Sequence, residues 1–209
     1  MSSPPSTTSL GDAPGIVIRR AAPRDAEAIA RVRIDGWRTS YRGLIPAAYL
    51  DGMQVDASTA LWDKVLAAGP NPASVFVASH GDEVIGFAAG SLLAEPKFGL
   101  NAELTAVYLR REFQRVGLGR RLIAAVVDAQ RALGAAGMIV WVIAANKPAR
   151  AFYEALGAEL LVEQAYQWDG MDLLEAAYGW RDLDALAAAC RAGQLLPETE
   201  STREDRRAG

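Results

Sequence analysis

The sequence has a single cysteine and a single histidine in 209 residues. Cys190 alone can form neither an internal disulfide nor a thiolate metal cage, which fits a reducing, cytosolic setting. With His80 as the sole histidine there is no imidazole cluster for zinc and no obvious Ser–His triad, so no metal is expected. Long hydrophobic runs are missing too. The most apolar stretch, residues 138–145, has the length of a buried strand and falls far short of a membrane span. Nor is there an excess of positive charge: a net charge of -3 and a pI near 5.3 argue against a nucleic-acid partner. Residues 1–14 are rich in Ser, Thr and Pro but lack the basic and apolar regions of a signal peptide, so they read as a disordered leader. A cytoplasmic protein with no membrane partner is expected.

What is present is 51% hydrophobic residues, enough for one sizeable core, and one domain is expected over 15–180. GIVIRR at 15–20 reads as a strand, and Pro23 opens a helix to about Trp37 with Ala26, Ile29, Ala30, Val32 and Ile34 on one face. The stretch 37–53 breaks that period and is expected to form a loop with a short helix at 46–50; another helix covers 57–67. Two antiparallel strands within 74–93 meet at a polar turn at 80–83, and a strand follows at 102–109. A helix starts at Gly117 and ends near Gly134, then comes a uniformly apolar strand at 137–146, as for one covered on both faces. A helix at 148–156 has Pro in its first turn, and strands at 159–168 and 171–178 flank an Asp169-Gly170 turn. This order predicts a mixed sheet with helices on its faces, an α/β or α+β layered domain. Residues 181–209 add a helix at 182–190, a candidate homodimer surface, and a charged, unpatterned tail.

The segment REFQRVGLGRRL, residues 111–122, puts two glycines between a strand and a helix. A plain connecting turn is one explanation. A dinucleotide fingerprint fails because Leu122 stands where its third glycine belongs, and a P-loop fails because no Gly-Lys-Ser/Thr follows. Gln114-Arg115-Val116-Gly117-Leu118-Gly119 instead has the spacing Gln/Arg-x-x-Gly-x-Gly. There, backbone N–H groups at a helix start can face a pyrophosphate, helped by the helix dipole. A Cβ at 117 or 119 would crowd the phosphate oxygens, and Arg115, Arg120 and Arg121 add positive charge or simply a solvated helix face.

Taken with its context, AELTAVYLRREFQRVGLGRRLIAAVVDAQRALG followed by VWVIAANKPARAFYEALGAE, the chain resembles the GNAT superfamily of acetyl-CoA-dependent N-acetyltransferases over roughly 15–180. The shared parts are a strand, the glycine turn, a helix, a strand ending in Asn146, and a helix ending Phe152-Tyr153-x-x-Leu156-Gly157. Val116 and Arg111 depart from the pattern, standing where members often carry a basic residue and a proline. The resemblance implies a mostly antiparallel central sheet with helices on both faces and a V-shaped splay between its two central strands. It also implies acetyl-CoA as acetyl donor, with the pantetheine arm in that splay. Cofactor contacts would then come from Val107, Tyr108 and Leu109, from Gln114, Arg115, Val116, Gly117, Leu118, Gly119 and Arg120, and from Asn146, Ala149 and Tyr153.

Acyl transfer to an amine requires removal of a proton from the amine, stabilisation of an oxyanion and a proton for the departing thiolate. Glu103, early in the strand before the turn, is the candidate base or else a solvent-facing strand residue; Asp172 and Glu175 are the fallbacks. The resemblance implies that Tyr153 protonates the sulfur, the alternative being a core tyrosine, and Phe152 reads as a packing residue. Asn146 would bond the pantetheine arm or simply cap its helix. The oxyanion donor is expected among the backbone N–H groups of 107–109. Trp37, Tyr41 and Trp168 are candidates for an aromatic amine pocket. The acceptor is expected to be a small-molecule amine, a peptide N-terminus or a lysine. A catalytically silent CoA-binding module is the alternative.

Overall fold

The computed structural model describes residues 15–68 and 73–192; the expected leader and charged tail lie outside them. The strands are β1 (Ile16–Arg20), β2 (Ala73–His80), β3 (Glu83–Lys97), β4 (Leu100–Leu109), β5 (Met138–Ile143), β6 (Glu159–Trp168) and β7 (Met171–Trp180). They form one sheet in the order β1–β2–β3–β4–β5–β7–β6, antiparallel throughout except for β4 beside β5. Among the described residues the α-helices are α1 (Ala26–Ser40), α2 (Ala47–Gly52), α3 (Val55–Ala67), α4 (Leu118–Ala132), α5 (Lys147–Glu154) and α6 (Leu183–Ala192). None of them is long and apolar enough to cross a membrane.

The helices take opposite faces for reasons visible in their patterns. On α4, Leu118, Leu122, Ile123, Val126 and Val127 are buried against the sheet, joined by Tyr153 and Leu156 from and just after α5. On the other face Ile29, Ala30 and Val32 of α1 and Trp62 of α3 pack on Val75, Val77 and Phe87. The expected layered architecture is therefore present.

The expected splay is present as well. β4 and β5 pair only at Ala102 with Met138 and Glu103 with Ile139, although both strands continue beyond that point. A bulge at Thr105, which has no partner between the Gly90–Leu104 and Ala89–Ala106 pairs, reverses the facing of β4. Ala102 and Leu104 face α4 before it; Val107 and Leu109 face α4 after it, and Ala106 and Tyr108 turn to the α1 side. Without that extra residue Tyr108 would point to the opposite face.

Three differences from the sequence reading have physical causes. α1 continues to Ser40, past the loop expected from Trp37, because Trp37 is buried and stacks edge-on with Tyr41 one turn later. β3 and β4 extend into a hairpin turning at Phe98 and Gly99, both with positive φ, where Pro96 and exposed side chains hid the strand signal. Finally, α6 belongs to the main core. Leu183, Leu186, Ala187 and Cys190 are buried with α4, and Arg191 pairs with Asp128 at 2.5 Å. Its apolar face is thus covered within the chain. Burial pushes the Cys190 thiol up to about 11, unlike an activated acyl carrier.

Candidate active site

The turn before α4 is shaped as an anion cradle. Arg115, a non-glycine residue at φ 63, and Gly117, at φ 80, both lie in the left-handed region. Left-handed residues next to right-handed ones aim successive N–H groups into one concavity. A non-glycine residue held there is strained, and such strain gathers at functional sites. The first hydrogen bond of α4 runs from Arg121 N–H to the Gly117 carbonyl at 3.2 Å, so the N–H groups of Leu118, Gly119 and Arg120 lack helical acceptors. Among the described residues no side-chain cap bond is made at this helix start. A cleft of about 410 Å³ opens here, walled by Arg115, Gly117, Gly119 and Arg120 on one side and by Pro148, Ala149 and Phe152 on the other.

Within this turn the residues divide their work. Leu118 is 1% exposed and Val116 packs on the same core, so only their backbones can serve a ligand. The Arg120 guanidinium donates to the Ala189 carbonyl at 3.1 Å, which turns its charge towards α6. Gln114 Nε2 donates to the Leu109 carbonyl at 3.0 Å, fixing the end of β4 against the turn.

Behind the cleft, the gap between β4 and β5 forms a passage of about 120 Å³ lined by Val107, Tyr108, Leu109, Asn146, Ala149 and Tyr153, among others. Asn146 caps α5, its Oδ1 accepting from Ala149 N–H at 3.3 Å, and it faces the passage too. Tyr153 is 8% exposed and its ring stands edge-on to Trp180 at 5.9 Å. It lines both the passage and the outer cleft, and burial raises its phenol well above the ordinary range, so it keeps its proton. The helix that carries Tyr153 is anchored by Arg150, which bonds Tyr178 Oη at 2.8 Å, the Ala144 carbonyl at 3.0 Å and Glu163 at 2.7 Å. Tyr178 in turn donates to Glu154 at 2.6 Å.

On the opposite face of the sheet the passage opens into a second cleft of about 590 Å³, in the range of small-molecule sites. Trp37, Tyr41 and Trp168 meet there, with Trp37 and Trp168 ring centroids 5.0 Å apart. Trp168 Nε1 donates to Tyr49 Oη at 3.0 Å, which holds the end of β6 against α2. Glu103 lines the same cleft, and its pKa is raised by burial and by Glu175, against the opposing pull of Lys97 at 4.0 Å. Glu175 also lines it and accepts from Gln164 at 2.9 Å. Asp172 does not: it lies one residue out of phase on β7, bonded to Gln167, and is removed from the set of candidate bases.

Sequence reasoning missed four contributors. Ser40 lines the passage and the outer cleft but fell in the stretch read as loop. Phe152, read as packing alone, walls the outer cleft while also touching the core. Tyr108 was expected to act through its backbone; its side chain lines the passage beside Tyr41, where burial raises both phenols. Tyr108 can reach there because Gly36 of α1 leaves room for its ring. Arg33 lines the second cleft, stacked over Trp37 at 4.8 Å, and four-residue spacing from Trp37 was the available signal.

Residues 35–158 match the family model for the acetyltransferase (GNAT) family. The chain is 36% identical over 159 residues to the uncharacterized N-acetyltransferase YuaI of Bacillus subtilis (strain 168), covering 76% of this chain and 88% of that one. Its fold is similar to that of the PaiA N-acetyltransferase of Thermoplasma acidophilum in complex with coenzyme A, with a TM-score of 0.60 and 20% identity over 78% of this chain and 98% of that one. It is equally similar to YncA of Salmonella typhimurium with its cofactor acetyl-CoA, with a TM-score of 0.60 and 20% identity over 79% and 93% of the two chains.

Proposed function

The chain belongs to the acetyltransferase (GNAT) family, and from that premise we propose that it moves the acetyl group of acetyl-CoA directly to a primary amine, with no covalent enzyme intermediate. The observation that carries this reading is the connected path through the sheet. An anion cradle opens on one face, an aromatic cleft with a carboxylate on the other, and the β4–β5 gap joins them.

Acetyl-CoA, when bound, supplies the acetyl group as an activated thioester. The backbone N–H groups around 115–120 hold its pyrophosphate, aided by the start of the α4 dipole. The edge of β4 left without a strand partner beyond Glu103 offers its backbone to the pantetheine arm, with Asn146 and Ala149 opposite. Glu103, directly or through water, takes a proton from the amine. Its raised pKa brings it nearer the pH at which a base works best. A backbone N–H of 107–109 stabilises the carbonyl oxygen as it gains charge. Tyr153, kept protonated by burial, gives its proton to the departing sulfur.

The test is release of CoA thiol from acetyl-CoA across a panel of primary amines, with the acetylated products identified by mass. At least one amine is expected to give product in step with thiol release. Tight acetyl-CoA binding without transfer to any amine would contradict the proposal and leave a CoA-binding module.

A further inference from the structure

The acceptor cleft is electrically two-ended. Glu103 and Glu175 supply carboxylates, and Lys97 stands 4.0 Å from Glu103 while lying over the Trp141 ring. Arg33 differs from Lys97. It lines the same cleft, yet among the described residues it has neither an ion pair nor a hydrogen bond. Its guanidinium rests over Trp37 at 4.8 Å, which covers one flat face and leaves the N–H donors along its edge unpaired. An arginine oriented by an aromatic ring, half-buried and without an anion, is arranged to receive a planar oxyanion in two parallel hydrogen bonds.

A simple alkylamine would use the carboxylates and leave Arg33 unused. A polyamine would use them too, but its further positive charges would meet Arg33 and Lys97. An amine that also carries a carboxylate uses both ends. Resting on the acetyltransferase reading above, we infer that the acceptor is an amino-carboxylate. Its carboxylate is held by Arg33, its amine is turned towards Glu103, and an apolar or flat body lies among Trp37, Tyr41 and Trp168.

The experiment compares matched acceptors at saturating acetyl-CoA: phenylalanine with phenethylamine and phenylalaninamide, methionine with 3-(methylthio)propylamine, and 4-aminobutyrate with propylamine. At least one carboxylate-bearing member should show a KM about ten- to a hundredfold below that of its decarboxylated partner, as for a charge-assisted hydrogen-bonded pair. Arg33→Gln should collapse that ratio towards one, and Arg33→Lys should keep part of it. Melting temperature and acetyl-CoA affinity report that each variant is folded. Equal KM values within every pair, or a ratio unchanged in a folded Arg33→Gln protein, would overturn the inference while the acetyltransferase reading stands. Transfer to no amine at all, with acetyl-CoA bound, would refute that reading and this one together.

Discussion

Replacing Gly36 with alanine adds one methyl group where Tyr108 already stands. The new Cβ would lie 2.6 Å from Tyr108 Cδ1, 3.2 Å from Cγ and 3.3 Å from Cβ. Non-bonded carbons rest about 3.5–4.0 Å apart, so the ring must retreat by roughly 1 Å. On stability two effects oppose each other. Alanine gains about 1 kcal/mol of helix propensity over glycine, and overpacking costs about 1–3 kcal/mol. The net change is therefore small, from about zero to 2 kcal/mol of destabilisation. Activity should suffer more, because Tyr108 and Tyr41 line the passage between the clefts. A displacement of about 1 Å in a positioned group can cost about a hundredfold in rate. Urea unfolding and steady-state kinetics would measure the two effects side by side. Gly52→Ala is the control, since nothing lies within 4 Å of a Cβ there. A Gly36→Ala protein with wild-type turnover and higher stability would refute the close packing of Tyr108 on α1.

Glu103→Gln should lower turnover near neutral pH by about 10²–10⁴, with partial recovery at high pH where free amine is plentiful, as a pH–rate profile would show. The same variant should be more stable than wild type at neutral pH. Burial raises the folded pKa of Glu103 above its unfolded value, so the wild type loses stability as pH rises from the ordinary carboxylate range through the raised value. Urea unfolding should find that the difference between the two proteins disappears at low pH. Tyr153→Phe should slow single-turnover acetyl transfer by about a hundredfold with little change in acetyl-CoA affinity, because the ring and its contact with Trp180 remain. Leu186→Ala should cost about 2–5 kcal/mol in chemical denaturation, since the side chain is 1% exposed in the core shared by α4 and α6.

The elements that position the cofactor side were legible because their signals are local. Gly117 and Gly119 mark a turn, Asn146 and Pro148 a helix start, and a periodic apolar stripe marks α4. The acceptor side was only half legible. Trp37, Tyr41 and Trp168 could be named as aromatics, but no local pattern brings β6 to the end of α1. The facing of Tyr108 depends on one unpaired residue, Thr105, and strict alternation gives no sign of a bulge. Asp172 and Glu175 look equivalent in sequence; their odd spacing on β7 puts them on opposite faces, Glu175 in the cleft and Asp172 outside it. Arg33 reads as an ordinary helix cation until three dimensions show it stacked over Trp37 without an ion pair among the described residues.

The central claim is that the start of α4 holds the pyrophosphate of acetyl-CoA, and Gly119→Val tests it most directly. A Cβ there would meet only Leu109 Cδ1 and Phe152 Cζ, each at 3.6 Å, an ordinary van der Waals contact, and Gly119 lines the cleft that the branches of valine would enter. Melting with and without acetyl-CoA should show the wild type stabilised by about 2.7 kcal/mol at a ligand concentration a hundredfold above its Kd. The valine variant should melt as a folded protein with no such shift. A wild type indifferent to millimolar acetyl-CoA and CoA, or a valine variant that binds as tightly as the wild type, would contradict the account.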